Sequence, residues 1–503
     1  MGVRMFFLRM ILYSFLFTSC LFAHKYEYDL IIIGHGSSGI IASLTAREYK
    51  NKKILMVEKK RLGGSFIWGA RFSVKTLVSL ASRRYKDKNI SILEFIRNIR
   101  KKTFDNLCKT TLAFPENIDA IFGLASFVDA HTIIVNEKEI TSDKFIIATG
   151  SHSVVPNLKN IENCENWTPD TFFEKKNLPK TLIVIGAGPL GIELASSLQK
   201  IGVQVTLIMR YGIILPDCDI EVVEFLMDTM KKEGVNIQCN MDAIEVYEDE
   251  NKKNVVCLNY AGETSIFQAE EVFFALNKNP NVQELNLNKA GVNYIEDKGI
   301  FVDSKMQTSA KNIYACGDVT NMNHRYERVS YKHAKVAVHN ALGPFFSGSH
   351  YVNYDNIPKI IYTAYFPLAY VGFTEQDAMK TYGNSIKIYK VPYSVLLRAN
   401  IENSTEGFAK FITDKNGYLL GAYIVGKNAD LIIDKVKLYA RLDKQFEDYF
   451  STTYSLPSYY GILYFATLEC KNNLKKIPYY KKLFAYIENE LVKNRLIEWG
   501  FKN

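Results

Sequence analysis

At 503 residues the chain is long enough for about three domains, and 48% hydrophobic content supports ordinary packed cores, which excludes a disordered chain. The formal charge of +9 is uneven: residues 471–503 hold eight Lys/Arg against three Glu and so carry five of the nine, leaving the rest near balance and excluding a nucleic-acid binder. Eight cysteines with no CxxC and no zinc-type spacing exclude a disulfide scaffold and a cysteine metal site.

Residues 1–23 read as a targeting segment, with Arg4 and Arg9 ahead of the uncharged run from Met10 to Ala23. That run is short for a spanning helix, so a cleaved export signal is the first reading and an uncleaved membrane anchor the second. Phe17-Thr18-Ser19-Cys20 also resembles a lipoprotein cleavage box. The protein is therefore expected to be exported or membrane-associated; a true start near His24 would instead leave it cytoplasmic.

The apolar run Tyr28 to Ile33 predicts a strand, and Gly34-His35-Gly36-Ser37-Ser38-Gly39 follows it directly. A helix is predicted over Ile40 to Tyr49, then a strand from Ile54 to Val57 ending at Glu58. This is a dinucleotide fingerprint: Gly34 makes the tight turn, Gly36 lets backbone N–H groups approach a pyrophosphate, and Gly39 allows close helix–sheet packing. Glu58 is placed to accept ribose hydroxyls. Leu62-Gly63-Gly64 and a basic helical stretch from about Thr76 to Lys102 come next, and a buried strand ends at Ala148-Thr149-Gly150-Ser151. Val154 to Lys180, with Pro156, Pro169 and Pro179, reads as linker and lead-in.

The design then repeats: strand Thr181 to Ile185, Gly186-Ala187-Gly188-Pro189-Leu190-Gly191, and helix Ile192 to Lys200. The next strand, Val205 to Ile208, ends at Met209-Arg210 with no acid in the place of an NAD ribose partner. After about Pro280 a short strand leads into Ala315-Cys316-Gly317-Asp318, so the second nucleotide domain is inserted in the first. The expected fold is α/β: two Rossmann-like domains, the first from residues 28–152 and 281–350, the second from 153–280, plus an α+β domain over 353–470. A basic helical extension, 471–503, follows; Lys481 to Trp499 reads as a packed amphipathic helix, with a membrane-surface helix as the alternative.

This order of motifs resembles the pyridine nucleotide-disulfide oxidoreductases, the group of dihydrolipoamide dehydrogenase, glutathione reductase and mercuric reductase. The resemblance covers about residues 28–470 and includes Asn279-Pro280-Asn281 and Ile357-Pro358 through Val371-Gly372-Phe373-Thr374-Glu375. It implies FAD held by Gly34, Gly36, Ser38, Gly39, Glu58, Gly64, Ala148, Thr149, Gly150, Gly317 and Asp318, the last on the ribityl chain. It implies a nicotinamide cofactor on Gly186, Gly188, Gly191 and Arg210, with Arg210 favouring NADPH over NADH, and a homodimer through 353–470. Lys75 and Glu193 match the family's Lys–Glu pair beside the flavin and are the catalytic candidates.

The departures are as informative. The two positions of the family's redox cysteines are Phe66 and Arg71, and its C-terminal His and Glu positions are Leu456 and Gly461. Phenyl and guanidinium groups cannot form a thiolate or disulfide, and no histidine follows His350. The expectation is an FAD-dependent NAD(P)H oxidoreductase serving a non-disulfide acceptor such as a quinone, a metal ion, oxygen or another small molecule. The alternative is a catalytically silent flavin-binding protein with an assembly role.

Overall fold

The computed structural model describes residues 25–83, 91–110, 117–165, 167–322, 326–344, 348–354, 357–442, 445–451 and 454–473. Residues 1–23, expected to be a targeting segment, and the Lys481 to Trp499 stretch lie outside the described residues.

The first nucleotide unit begins with β1 (Tyr28–Ile33), whose near-continuous burial is that of a strand covered on both faces. It runs through α1 (Ser37–Ala46) into β2 (Ile54–Glu58), which pairs with β1 in parallel. Two consecutive helices follow, α2 (Gly64–Trp68) and α3 (Ala70–Ser82), separated by Gly69, and then α4 (Ile92–Thr110). Strands β3 (Ile118–Phe122), β4 (Ala125–Phe127), β5 (Thr132–Val135) and β6 (Lys138–Ile147) complete a sheet of order β3-β2-β1-β6-β5-β4. Its remaining member is distant in sequence: Ile313–Ala315 pairs in parallel with the end of β6. The chain thus re-enters its first sheet after building the second.

That second sheet has β8 (Thr181–Ile185) between Gln204–Ile208 and Glu271–Phe274, all parallel, with Asn236–Gln238 at one edge. Helix Pro189–Lys200 follows β8, its proline in the first turn where no N–H is needed. The two-stranded crossing of β7 (Ser151–Ser153) with Lys278–Pro280 joins the units where the chain leaves and returns. Between them, the stretch expected to be linker is well packed: Trp167, Phe172 and Phe173 are buried, and Trp167 bridges to Phe273 at the sheet edge. The last domain is an antiparallel five-stranded sheet backed by Ala429–Arg441 and Gly461–Asn473. One apolar cluster runs from Val74 and Leu77 of α3 through Leu194 and Leu198 to Phe366 and Leu368, so α3 lies where all three units meet.

Candidate functional site

The first fingerprint shapes a cavity of about 630 Å³ at the carboxyl ends of β1 and β2, lined by Gly34 to Ser38, Glu58, Gly64, Ala148 to Ser151 and Asp318. Each glycine has a separate physical task. Gly34 has φ +98°, and a Cβ there would lie 2.6 Å from the Ala148 carbonyl oxygen. At Gly39 a Cβ would lie 1.9 Å from the Gly34 carbonyl, so α1 can approach the turn only as glycine. Gly36 differs: a Cβ there meets no protein atom within 4 Å, so its missing side chain leaves room for something outside the chain.

The carboxylates at either side of this cavity are held from behind. Glu58 accepts the His35 N–H at 2.7 Å and the Lys60 N–H at 2.9 Å, one on each oxygen, which leaves each oxygen a further acceptor site. Asp318 Oδ2 accepts from Ser151 Oγ at 3.1 Å and from Arg71 Nη2 at 3.4 Å, whereas its Oδ1 is buried with no hydrogen-bond partner. A buried carboxylate oxygen without a donor is costly, and a hydroxyl-bearing ligand in the cavity would satisfy it. Thr149 Oγ1 donates to the Asn281 carbonyl and Asn281 Nδ2 donates to the Thr149 carbonyl, both at 2.8 Å, locking the Ala148-Thr149-Gly150 turn to the returning chain. These features fit FAD: an open backbone cradle for its pyrophosphate, Glu58 for ribose, and the Asp318 carboxylate for a ribityl hydroxyl.

Lys75 and Glu193 come together across the domain boundary. Glu193, 4% exposed in helix Pro189–Lys200, pairs with Lys75 Nζ and also accepts the Tyr362 N–H at 2.9 Å. Burial pushes its carboxyl up from the ordinary value, and the Lys75 ammonium opposes that shift. The same ammonium stands 4.6 Å from the Tyr362 ring centroid. Three separate units therefore fix one cation.

The second fingerprint has the same backbone logic. Gly186 has φ +112°, a Cβ on Gly191 would lie 1.9 Å from the Gly186 carbonyl, and Gly188 is open. Arg210 is largely exposed and pairs with Asp242 Oδ1 at 3.0 Å. Asp242 escaped the sequence reading because it comes from Met241–Asp249, a strand of the neighbouring three-stranded sheet. Tyr362 and Ser151 were also missed, since nothing local marks a residue delivered by domain packing.

Of the two residues that the resemblance matches to the family's disulfide, Phe66 packs partly buried beside Ile40 and Ile67, and Arg71 contacts Asp318. Leu456 is 64% exposed, while Gly461 opens the helix Gly461–Asn473. Cys316, the cysteine nearest Asp318 in sequence, is fully buried, and burial pushes its thiol up to about 12. It is not a ready nucleophile.

The family of pyridine nucleotide-disulphide oxidoreductases matches residues 28–341, and the dimerisation domain of that family matches 357–462. The chain belongs to this family. Its members are oxidoreductases that use FAD and NAD(P)H. The chain is 29% identical to mercuric reductase of Bacillus cereus over 81% of its own length and 66% of that enzyme's. It is 30% identical to dihydrolipoyl dehydrogenase of Geobacillus stearothermophilus, over 86% and 94% of the two chains. Among solved structures, the HOCl-induced flavoprotein disulfide reductase RclA from Escherichia coli superposes with a TM-score of 0.79 at 26% identity, covering 88% of this chain and 99% of that one.

Proposed function

We propose that this protein is an FAD-dependent NAD(P)H oxidoreductase whose electron acceptor is not a disulfide. One contrast carries the reading: the Lys75–Glu193 pair is assembled from separate domains, whereas Phe66 and Arg71 occupy the family's redox-cysteine positions. FAD supplies the electron transfer between nicotinamide and acceptor. The chain's own residues set its surroundings. Glu193 and the Tyr362 ring hold the Lys75 ammonium in one place, where it favours negative charge arising beside it. Phe66, Arg71 and Leu456 supply neither a thiolate nor a proton-transferring imidazole, so the acceptor must be one that needs no thiol relay: a quinone, a metal ion, oxygen or another small molecule.

Arg210 supports NADPH as donor, since a 2′-phosphate offers the guanidinium a stronger partner than exposed Asp242. Exposed Leu431, Leu438, Leu442 and Leu456 on the last domain support a homodimer through 353–470. Export or membrane association rests on residues 1–23 alone; among the described residues no helix is long and apolar enough to cross a membrane. The second reading, a flavin-binding assembly protein, is favoured by the loss of both the cysteine pair and the His–Glu pair. Anaerobic mixing with NADPH and with NADH separates the two: bleaching of the flavin absorbance supports the enzyme, and a flavin that stays oxidised with both donors refutes it.

A further inference from the structure

We infer that Arg71, at the position of the second redox cysteine, is a positioning residue for the cofactor: with Ser151 it fixes the orientation of the Asp318 carboxylate at the edge of the cavity. The inference rests on FAD being the occupant of the cavity. Asp318 follows Gly317, whose φ is +79° and whose missing Cβ admits Ser38 Oγ at 2.0 Å from where it would lie, so the backbone of this turn is packed against α1. The side chain could still rotate. Two donors on one oxygen oppose that: Ser151 Oγ and Arg71 Nη2 both address Oδ2, and the second oxygen is left buried without a hydrogen-bond partner.

Arg71 reaches Asp318 because Gly69 breaks the helix between α2 and α3, placing residue 71 in the first turn of α3. Lys75 lies one helical turn further on, directed to Glu193. One helix face thus serves both carboxylates. A cysteine at 71 is too short and carries no cation, so restoring the family's pair would remove the clamp. The arginine therefore has a role of its own, and the change away from cysteine is more than a loss.

The test is FAD titration of apoprotein, followed by flavin fluorescence and calorimetry, with apoprotein melting as the control for folding. Arg71→Met should weaken FAD by about tenfold, and Arg71→Lys should recover most of that. The Phe66→Cys/Arg71→Cys double variant should bind FAD as poorly as Arg71→Met. In an Asp318→Asn background, Arg71→Met should add less than about twofold, because its effect passes through the carboxylate. Equal losses in both backgrounds, or unchanged FAD affinity in Arg71→Met, would overturn the clamp while leaving the cofactor assignment standing. Wild-type apoprotein that takes up no FAD would overturn both.

Discussion

Replacing two glycines of one fingerprint should have opposite consequences, because the structure gives their missing side chains different surroundings. Gly39→Ala places a methyl 1.9 Å from the Gly34 carbonyl oxygen, a backbone atom that cannot move without shifting the turn or α1. Relief of such a clash costs roughly 1–3 kcal/mol or more, and this appears in the apoprotein. Gly36→Val adds atoms where no protein atom lies within 4 Å of the new Cβ, at φ −78° and ψ −163°, which a β-branched residue adopts without strain. Its cost to the apoprotein is that of changing a helix cap, under about 1 kcal/mol. Those atoms fill the space expected for a pyrophosphate, so FAD affinity should fall at least about a hundredfold, roughly 2.7 kcal/mol. Thermal melting of the stripped proteins and FAD titration measure the two quantities separately. A Gly36→Val protein that binds FAD like wild type would show that the cavity serves another ligand. One that melts as early as Gly39→Ala would show that the open space is needed by the fold.

Three further outcomes are expected. Purified protein should reduce neither lipoamide nor glutathione disulfide with NAD(P)H; activity that survives purification and vanishes in Cys316→Ser would restore thiol chemistry. Lys75→Met should slow anaerobic reduction of bound flavin while FAD stays bound, and Arg210→Ala should weaken NADPH by about 1.5 kcal/mol, roughly tenfold, with NADH little changed; equal effects on both nucleotides would remove Arg210 from the phosphate site. Burial lowers the His35 imidazole from 6.5 to about 4, so between those values the unfolded chain takes up a proton that the folded site refuses. That contribution to stability is complete above pH 6.5 and falls by up to about 3 kcal/mol as the pH drops to about 4. His35→Asn should flatten this part of the acid slope, and parallel melting-versus-pH curves for the two proteins would contradict it.

The local parts of the site were legible because each lies within a few residues of a strand end. The run Tyr28–Ile33 matches β1, and Thr181–Ile185 matches the corresponding strand of the second unit. Helix starts were placed late: α1 begins at Ser37 rather than Ile40, because apolar periodicity marks the buried face and misses the first turn beyond the Gly36 cap. The stretch 154–180 reads as linker from its three prolines, yet Trp167, Phe172 and Phe173 are core residues. Short 3₁₀ turns carry no period, so burial there leaves no pattern in the sequence. Ser151, Asp242 and Tyr362 acquire their partners across 167, 32 and 169 residues of chain, separations at which sequence proximity says nothing.

The same geometry bears on which of the family's positions can change without dismantling the protein. The Lys75–Glu193 contact lies where three packed units meet, and the buried Glu193 also takes the Tyr362 backbone N–H. Removing Lys75 would leave a buried carboxylate without its cation, a costly change irrespective of catalysis. Phe66 and Leu456 are under no such constraint: Phe66 is only partly buried among apolar neighbours, and Leu456 is mostly exposed. A Cys-to-Phe or His-to-Leu exchange at such positions disturbs few buried partners. The Lys–Glu pair therefore joins the packed units as well as placing a cation.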